Sequence, residues 1–293
     1  MHRVTIPHSD HCPEHHHTWA QAVEWLRSDP AQATLVRDCY LDVSALDAAN
    51  RFAASEEWTA IVDLLGARLQ GSVVDLGAGR GIASYAFAKA GMQVTAVEPE
   101  DGNISGVGAI RELASAAQLP ITVVQASGEE LPLPDASFDV VYARASLHHV
   151  RDLEQVCREV FRILKPGGVF LATREHVIAK PGHLATFLRR HPLASVYGGE
   201  NAFPLRHYTE SICAAGFTIK KIYGPFANAI NRFPRTNDAY TDLLARPFRP
   251  FLGSRIAHAI VRQPLVQLIA SFILERVYYQ PGQLYSFVAQ KHS

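Results

Sequence analysis

The run Val73-Val74-Asp75-Leu76-Gly77-Ala78-Gly79-Arg80-Gly81 constrains the fold of this chain more than any other segment. An apolar stretch ends in an acid, and three glycines follow at alternate positions. Ile82-Ala83-Ser84-Tyr85-Ala86-Phe87-Ala88 behind them reads as a helix of small residues. Strand, tight turn and helix N-terminus therefore stand in succession. Glycines in such a turn permit positive φ and let a ligand approach the main chain with no Cβ in the way. A second buried strand, Gln93-Val94-Thr95-Ala96-Val97, ends in Glu98. An acid about twenty residues on, at the tip of the second strand of a βαβ unit, is placed to accept both hydroxyls of a ribose. The pattern predicts a nucleoside-containing ligand.

Glycine spacing separates the candidate ligands. A dinucleotide fingerprint counted from Gly77 would put its third glycine at Ile82, and counted from Gly79 it would leave Gly81 surplus. The observed pattern is D-x-G-x-G-x-G. A carboxylate so near the turn would repel a pyrophosphate and suits a ligand with an ammonium group. The segment resembles motif I of the class I S-adenosylmethionine-dependent methyltransferases.

The downstream sequence extends that resemblance. Ile121 to Gln125 is a third strand candidate. Leu131-Pro132-Leu133-Pro134-Asp135, Ser137-Phe138-Asp139-Val140-Val141 and Leu147-His148-His149 follow in order. A helix from Asp152 to Leu164 then leads through Lys165-Pro166-Gly167-Gly168 into Val169 to Thr173. Order and wording over residues 72–175 resemble the small-molecule branch of that family, the type 11-like methyltransferases. The resemblance implies a doubly wound, mostly parallel seven-stranded α/β sheet (the Rossmann-like methyltransferase fold) and S-adenosyl-L-methionine as cofactor. It implies cofactor contacts at Asp75, Gly77, Gly79, Gly81, Glu98, Ser127, Gly128, Glu129 and Arg144. One position departs from the family: Ser127 stands where an Asp usually accepts from the adenine amino group. Adenine contacts are then expected to rest more on the Gly128 backbone and Glu129.

Composition narrows the partners. The 28 Lys and Arg residues balance the 28 Asp and Glu residues, and no basic stripe stands out. That argues against nucleic acid, whose binding rests on several phosphate-neutralising cations. Cys12, Cys39, Cys157 and Cys213 are scattered without a C-x-x-C pair, as expected of a reduced, cytoplasmic setting. No secretory or lipidation signal is read at the N-terminus. His8, His11, Cys12, His15, His16 and His17 invite a metal, but a structural site needs ligands fixed by a core, so the tract is read as a polar arm and no metal is expected.

The expected organisation is a disordered His-rich arm over 1–17, an N-terminal helical cap over 18–70, and a core over 71–227 with an irregular insert at 177–210. A helical insert follows over 228–280, and the last core strand over 281–293. In the cap, Trp19, Ala22, Val23 and Leu26 share one helix face, and a second helix runs from Ser55 to Leu69. Tyr208-Thr209-Glu210 is read as opening a later helix. The apolar run Pro264 to Leu274 is far short of the ~20 residues of a membrane span. Gln263, Gln267, Ser271 and Glu275 recur every fourth residue there and form a polar stripe on an apolar helix. Such a helix either packs into the protein or faces a membrane or lipophilic substrate as a lid. Sixty residues between the last two strands exceed what an edge hairpin needs, which favours a lid closing the cleft before methyl transfer.

Methyl transfer from a sulfonium needs alignment and exclusion of water more than covalent help. A hydroxyl acceptor additionally needs a base. His148 and His149 after the fourth strand and His176 after the fifth are the candidate bases. The fourth-strand phrase Tyr142-Ala143-Arg144-Ala145 differs from the Asn/Asp-Pro-Pro-Tyr of enzymes that methylate nucleobase or amide nitrogens. The expected acceptor is a small, partly apolar molecule, with O-methylation preferred. Two alternatives stand beside it: a catalytically silent binding protein on the same scaffold, and an enzyme acting on a lipid or saccharide precursor at the membrane surface.

Overall fold

The computed structural model describes residues 18–292 apart from Ser195, so the expected arm over 1–17 lies outside the described residues. The N-terminal cap comprises α1 (Trp19–Ser28), α2 (Ala33–Asp38), α3 (Ala45–Ala53) and α4 (Glu56–Leu65). Helix α1 opens with a capping box, in which Thr18 and Gln21 each bond the other's backbone N–H. The hydroxyls of Ser44 and Ser55 accept from Asp47 N and Trp58 N and start α3 and α4. Helix α4 ends at Gly66, with φ +52°, and a 3-10 turn carries the chain to Gln70. The helix expected to reach Leu69 therefore stops a turn early. Phe52, Trp58, Ile61 and Leu65 are buried against Val73, Phe87, Tyr142 and Leu171 of the core.

The sheet contains β1 (Ser72–Leu76), β2 (Gln93–Glu98), β3 (Ile121–Gln125), β4 (Phe138–Arg144), β5 (Leu164–Ile178), β6 (Phe203–Pro204), β7 (Thr218–Tyr223) and β8 (Gln283–Gln290). Its order is β3-β2-β1-β4-β5-β8-β7, with β6 alongside β5. All neighbours pair parallel up to β5, and β8 runs antiparallel between β5 and β7. Helices α5 (Ile82–Lys89), α6 (Val107–Ala117), α7 (Leu153–Ile163) and α9 (Leu205–Ala214) connect and cover the strands. Val73 and Val140 face the cap, while Val74 and Val141 face α7 and α9. Apolar residues at consecutive positions are what a parallel sheet covered on both faces requires. Strand order reverses between β1 and β4, which opens a crevice at their carboxyl ends.

Two features depart from expectation. The sheet has eight strands rather than seven, because two residues of the 177–210 insert pair with Val177 and Ile178 at the far end of β5. A two-residue strand carries no periodicity for a sequence to display. The insert is also more regular than expected, with α8 (Leu184–Arg190), and α9 begins at Leu205, directly after Pro204, not at Tyr208. Strand β5 continues well past Thr173, and its register against β8 shifts between Ala172 and Glu175, where Arg174 has φ +60°.

Between β7 and β8 lie α10 (Ala229–Arg232), α11 (Asn237–Ala245), α12 (Arg249–Val261) and α13 (Pro264–Val277). Helices α12 and α13 meet at 99°. The later half of the polar stripe of α13, Ser271 and Glu275, faces the protein, while Gln263 is exposed. Buried Ser271 donates to Phe226 O and bonds Tyr240 Oη, both at 3.0 Å, and Glu275 lies against Gly224. Leu265, Leu268, Ile269, Phe272 and Ile273 are all at least half exposed. The helix is thus docked by its polar side and presents its apolar side outward. Among the described residues no single helix is long and apolar enough to cross a membrane; α12 and α13 reach that length and apolarity only jointly.

Candidate functional site

The glycine turn sits at the end of β1, in the crevice. Gly77, Gly79 and Gly81 all have positive φ, at +69°, +57° and +76°. Gly77 N and Ala78 N donate to Val97 O at 2.9 and 3.1 Å and close the turn onto β2. A Cβ on Gly77 would collide with Ser146 at 2.6 Å, so that glycine serves packing. At Gly79 the nearest atom to such a Cβ is Ser105 Oγ, 3.9 Å away. Its main chain is therefore the approachable one. Glu98, almost fully buried at the tip of β2, accepts from Gly79 N at 2.7 Å and from Glu100 N at 3.2 Å. Burial pushes its carboxyl up to about 7, against the pull of those two donors. The second-strand acid and the approachable glycine are thus one hydrogen-bonded unit.

Asp75 stands behind the turn. Ser84 Oγ of α5 donates to it at 2.5 Å, and burial raises its carboxyl to about 6. Ser127 is exposed, and a Cβ on Gly128 would press on Val156 at 3.3 Å. Two residues expected at the cofactor have other partners. The Glu129 carboxylate accepts from Arg151 N at 2.9 Å, holding the chain just before α7. Arg144 donates from Nε and Nη2 to both oxygens of Glu57, at 2.8 and 3.0 Å, and lies over the rings of Tyr40 and Phe52. Glu57 was not legible as a site residue, since an acid next to Trp58 on an amphipathic helix reads as its solvated edge.

The three candidate bases come together. Ring centroids of His148 and His149 are 4.1 Å apart, and those of His148 and His176 are 4.7 Å apart. His191, from the insert, adds a fourth ring 4.8 Å from His176. His148 Nδ1 lies 2.8 Å from Glu175 Oε2. Glu175 is fully buried and also accepts from the backbone N–H groups of Ser146, Leu147 and His148, so it fixes the turn after β4. His149 Nδ1 is 2.8 Å from Gly199 O, and His176 Nδ1 is 3.0 Å from Gly282 O. A carbonyl can only accept, so in both rings Nδ1 carries the proton and Nε2 keeps a lone pair. Burial, then the neighbouring imidazoles, holds His148 and His176 well below the usual range and His191 at about 4. The imidazoles of the cluster are therefore neutral at pH 7. His191 and Glu200, which also belongs to this group, were missed because no motif surrounds them.

Residues 74–172 match the methyltransferase domain family. The matching segment, about a third of the chain, is similar to a methyltransferase domain. Over 121 residues the chain is 38% identical to the dimethylglycine N-methyltransferase of Parasynechococcus marenigrum, covering 39% of this chain and 41% of that protein. It is 37% identical over 112 residues to the ubiquinone/menaquinone biosynthesis C-methyltransferase UbiE of Vibrio vulnificus, covering 38% of this chain and 43% of that protein. The chain spans about half the length, or less, of the curated relatives it matches. The geranyl diphosphate C-methyltransferase of Streptomyces coelicolor, solved with Mg2+, geranyl-S-thiolodiphosphate and S-adenosyl-L-homocysteine, shares the fold. Its TM-score is 0.53 at 16% identity, over 80% of this chain and 76% of that one. The methyltransferase family implies S-adenosylmethionine as methyl donor.

Proposed function

We propose that this protein transfers a methyl group from S-adenosylmethionine to a small, partly apolar acceptor, with an oxygen as the preferred methylated atom. The observation that carries the reading is the Gly79–Glu98 unit, an open glycine backbone bonded to a buried strand-end acid. Glu98 keeps free lone pairs for ribose hydroxyls. Gly77, Gly79 and Gly81 shape the turn for the methionine part, and Asp75 supplies negative charge behind it. Ser127 and the Gly128 backbone are left for the adenine edge. The bound donor supplies an electrophilic methyl group. The protein's own residues align the acceptor and exclude water. Of the three candidate bases His149 alone has an exposed side chain, so its Nε2 takes the acceptor proton and passes it to solvent.

The acceptor side suits a mixed molecule. Gly282, whose carbonyl receives the His176 proton donor, lines a recess of about 580 Å3 with Phe226, Pro234, Tyr278 and Leu284. The net charge of +0 supports a partner other than nucleic acid, and four cysteines with no C-x-x-C pair support a reduced, cytoplasmic setting. A second reading follows from α12 and α13: the acceptor is a lipid or saccharide precursor met at an anionic membrane surface. Supporting it, the outward apolar face of these helices lies in a segment, 246–280, with five arginines and one acid, the inward-turned Glu275. Calorimetry with S-adenosylmethionine and with NAD tests the cofactor. Labelled methyl donor in a cell extract, followed by mass spectrometry of the product, identifies the acceptor. Tight binding of the donor without any labelled product would favour a silent binding protein.

A further inference from the structure

We infer that His148, His176 and Glu200 form a binding site for a divalent transition-metal cation of the zinc class. The three residues come from the turn after β4, from β5 and from the loop after α8, and one candidate ligand atom of each lies within 4.8 Å of the others. Sequence spacing does not connect them; the fold does.

The histidines are set up as ligands. His148 and His176 both have Nδ1 engaged, by the Glu175 carboxylate and by Gly282 O, and so direct Nε2 elsewhere as a free lone pair. Metal-ligating histidines nearly always have such an outer partner, a carboxylate or a carbonyl, on the other ring nitrogen. Glu200 gives a second and independent observation. It is 8% exposed, and its Oε2 has no hydrogen-bond partner among the described residues. The nearest basic group is His191, whose Nδ1 stands 3.7 Å away and is likewise without a hydrogen bond. A buried carboxylate oxygen facing only imidazoles is costly unless a cation compensates it.

Donor chemistry selects the ion. Two imidazoles and a carboxylate suit zinc and its first-row neighbours, whereas magnesium and calcium favour oxygen ligands throughout. Ligand atoms around a tetrahedral zinc stand about 3.3 Å apart, from bond lengths of about 2.0 Å. Closing the site from separations within 4.8 Å therefore asks for an approach of about 1.5 Å at most between any two ligand atoms. His191, whose Nδ1 is 3.7 Å from Glu200 Oε2 and has no hydrogen bond, is a candidate fourth ligand. The inference concerns occupancy of this cluster and stands apart from the methyl-transfer reading.

The experiment uses the full chain with His8, His11, Cys12, His15, His16 and His17 replaced by alanine, so that the N-terminal tract contributes no metal. After chelator treatment the protein is titrated with Co2+ and then Zn2+. One bound equivalent is expected, with visible Co2+ absorption that Zn2+ abolishes. His176→Ala and Glu200→Gln should each weaken Co2+ binding by roughly 100-fold or more. Zinc should also raise the unfolding midpoint of the parent protein, a reading that needs no change in the cluster. No bound equivalent, no zinc-dependent shift, or binding unaltered in both variants overturns the inference. Calorimetry with S-adenosylmethionine on the same samples reports separately on the proposed function.

Discussion

Glu57 and Arg144 meet across 87 residues of sequence, with Nε donating to one carboxylate oxygen, Nη2 to the other, and the acid fully buried. The pair fastens the N-terminal cap to the carboxyl end of β4, and Arg174 Nε stands 3.9 Å from the same carboxylate. Removing one partner of a buried pair leaves the other charge uncompensated. Glu57→Ala should therefore cost about 3 kcal/mol in urea unfolding, and Glu57→Gln less, because the amide keeps one acceptor. A loss within experimental error for Glu57→Ala would show that the cap is held by its apolar contacts alone.

Glu98 sets a pH dependence. With its carboxyl at about 7 the folded protein keeps a proton that the unfolded chain loses near 4.5. Between those values the folded state binds more protons, so this contribution to stability is full below 4.5 and falls as pH rises through 7. Relative to Glu98→Gln, wild type should lose stability over that window, by on the order of 3 kcal/mol. The depressed histidines act with the opposite sign but are common to both proteins and cancel. S-adenosylmethionine affinity should increase as pH rises through 7, since hydroxyl donors need the ionised acid. A flat gap in unfolding series at several pH values would contradict the burial argument.

Gly79→Val separates binding from folding. A β-branched residue at φ +57° costs about 1–3 kcal/mol, yet the position has room for a Cβ. The variant should unfold cooperatively with a lowered midpoint and give no calorimetric signal with S-adenosylmethionine. Retained affinity would remove the glycine turn from the cofactor site.

The outward face of α13 makes a prediction about lipid. Wild type should float with vesicles containing anionic phospholipid, and less so at high salt. Replacing Leu268 and Phe272 together by Glu should lower the bound fraction at least 10-fold, as burial of each such side chain contributes about 1.5–3 kcal/mol. If the wild type stays unbound and dimerises reversibly through this face, the second reading of the acceptor falls.

What the sequence displayed well was whatever repeats with a period. The β1 turn, the parallel strands and the cap helices carry long apolar patterns, and the fold follows them closely. The stripe on α13 was legible as a stripe, yet periodicity tells which residues share a face and not which face is covered. Ser271 turned out to face Tyr240 and Phe226, and the leucines turned outward. Arg144 was expected at the cofactor from the family resemblance, yet whether it turns into the crevice or toward the cap depends on Glu57, a residue from a different element. His191 and Glu200 reach the cluster through an insert whose path no local pattern sets.

The register shift in β5 has a consequence for the whole crevice, because it changes the parity of the strand. Before it, the even residues Phe170 and Ala172 lie on the α7 side of the sheet; beyond it the odd residue Val177 does. The extra residue thus sends Glu175 toward the Ser146–His148 turn, a side that strict alternation would give to His176. Acid and imidazole are assigned to their sides by a count. Deleting residue 173 or 174 would restore regular alternation and keep both groups where they are, whereas one residue more would exchange them, and a protein of nearly unchanged composition would carry its chemistry inside out.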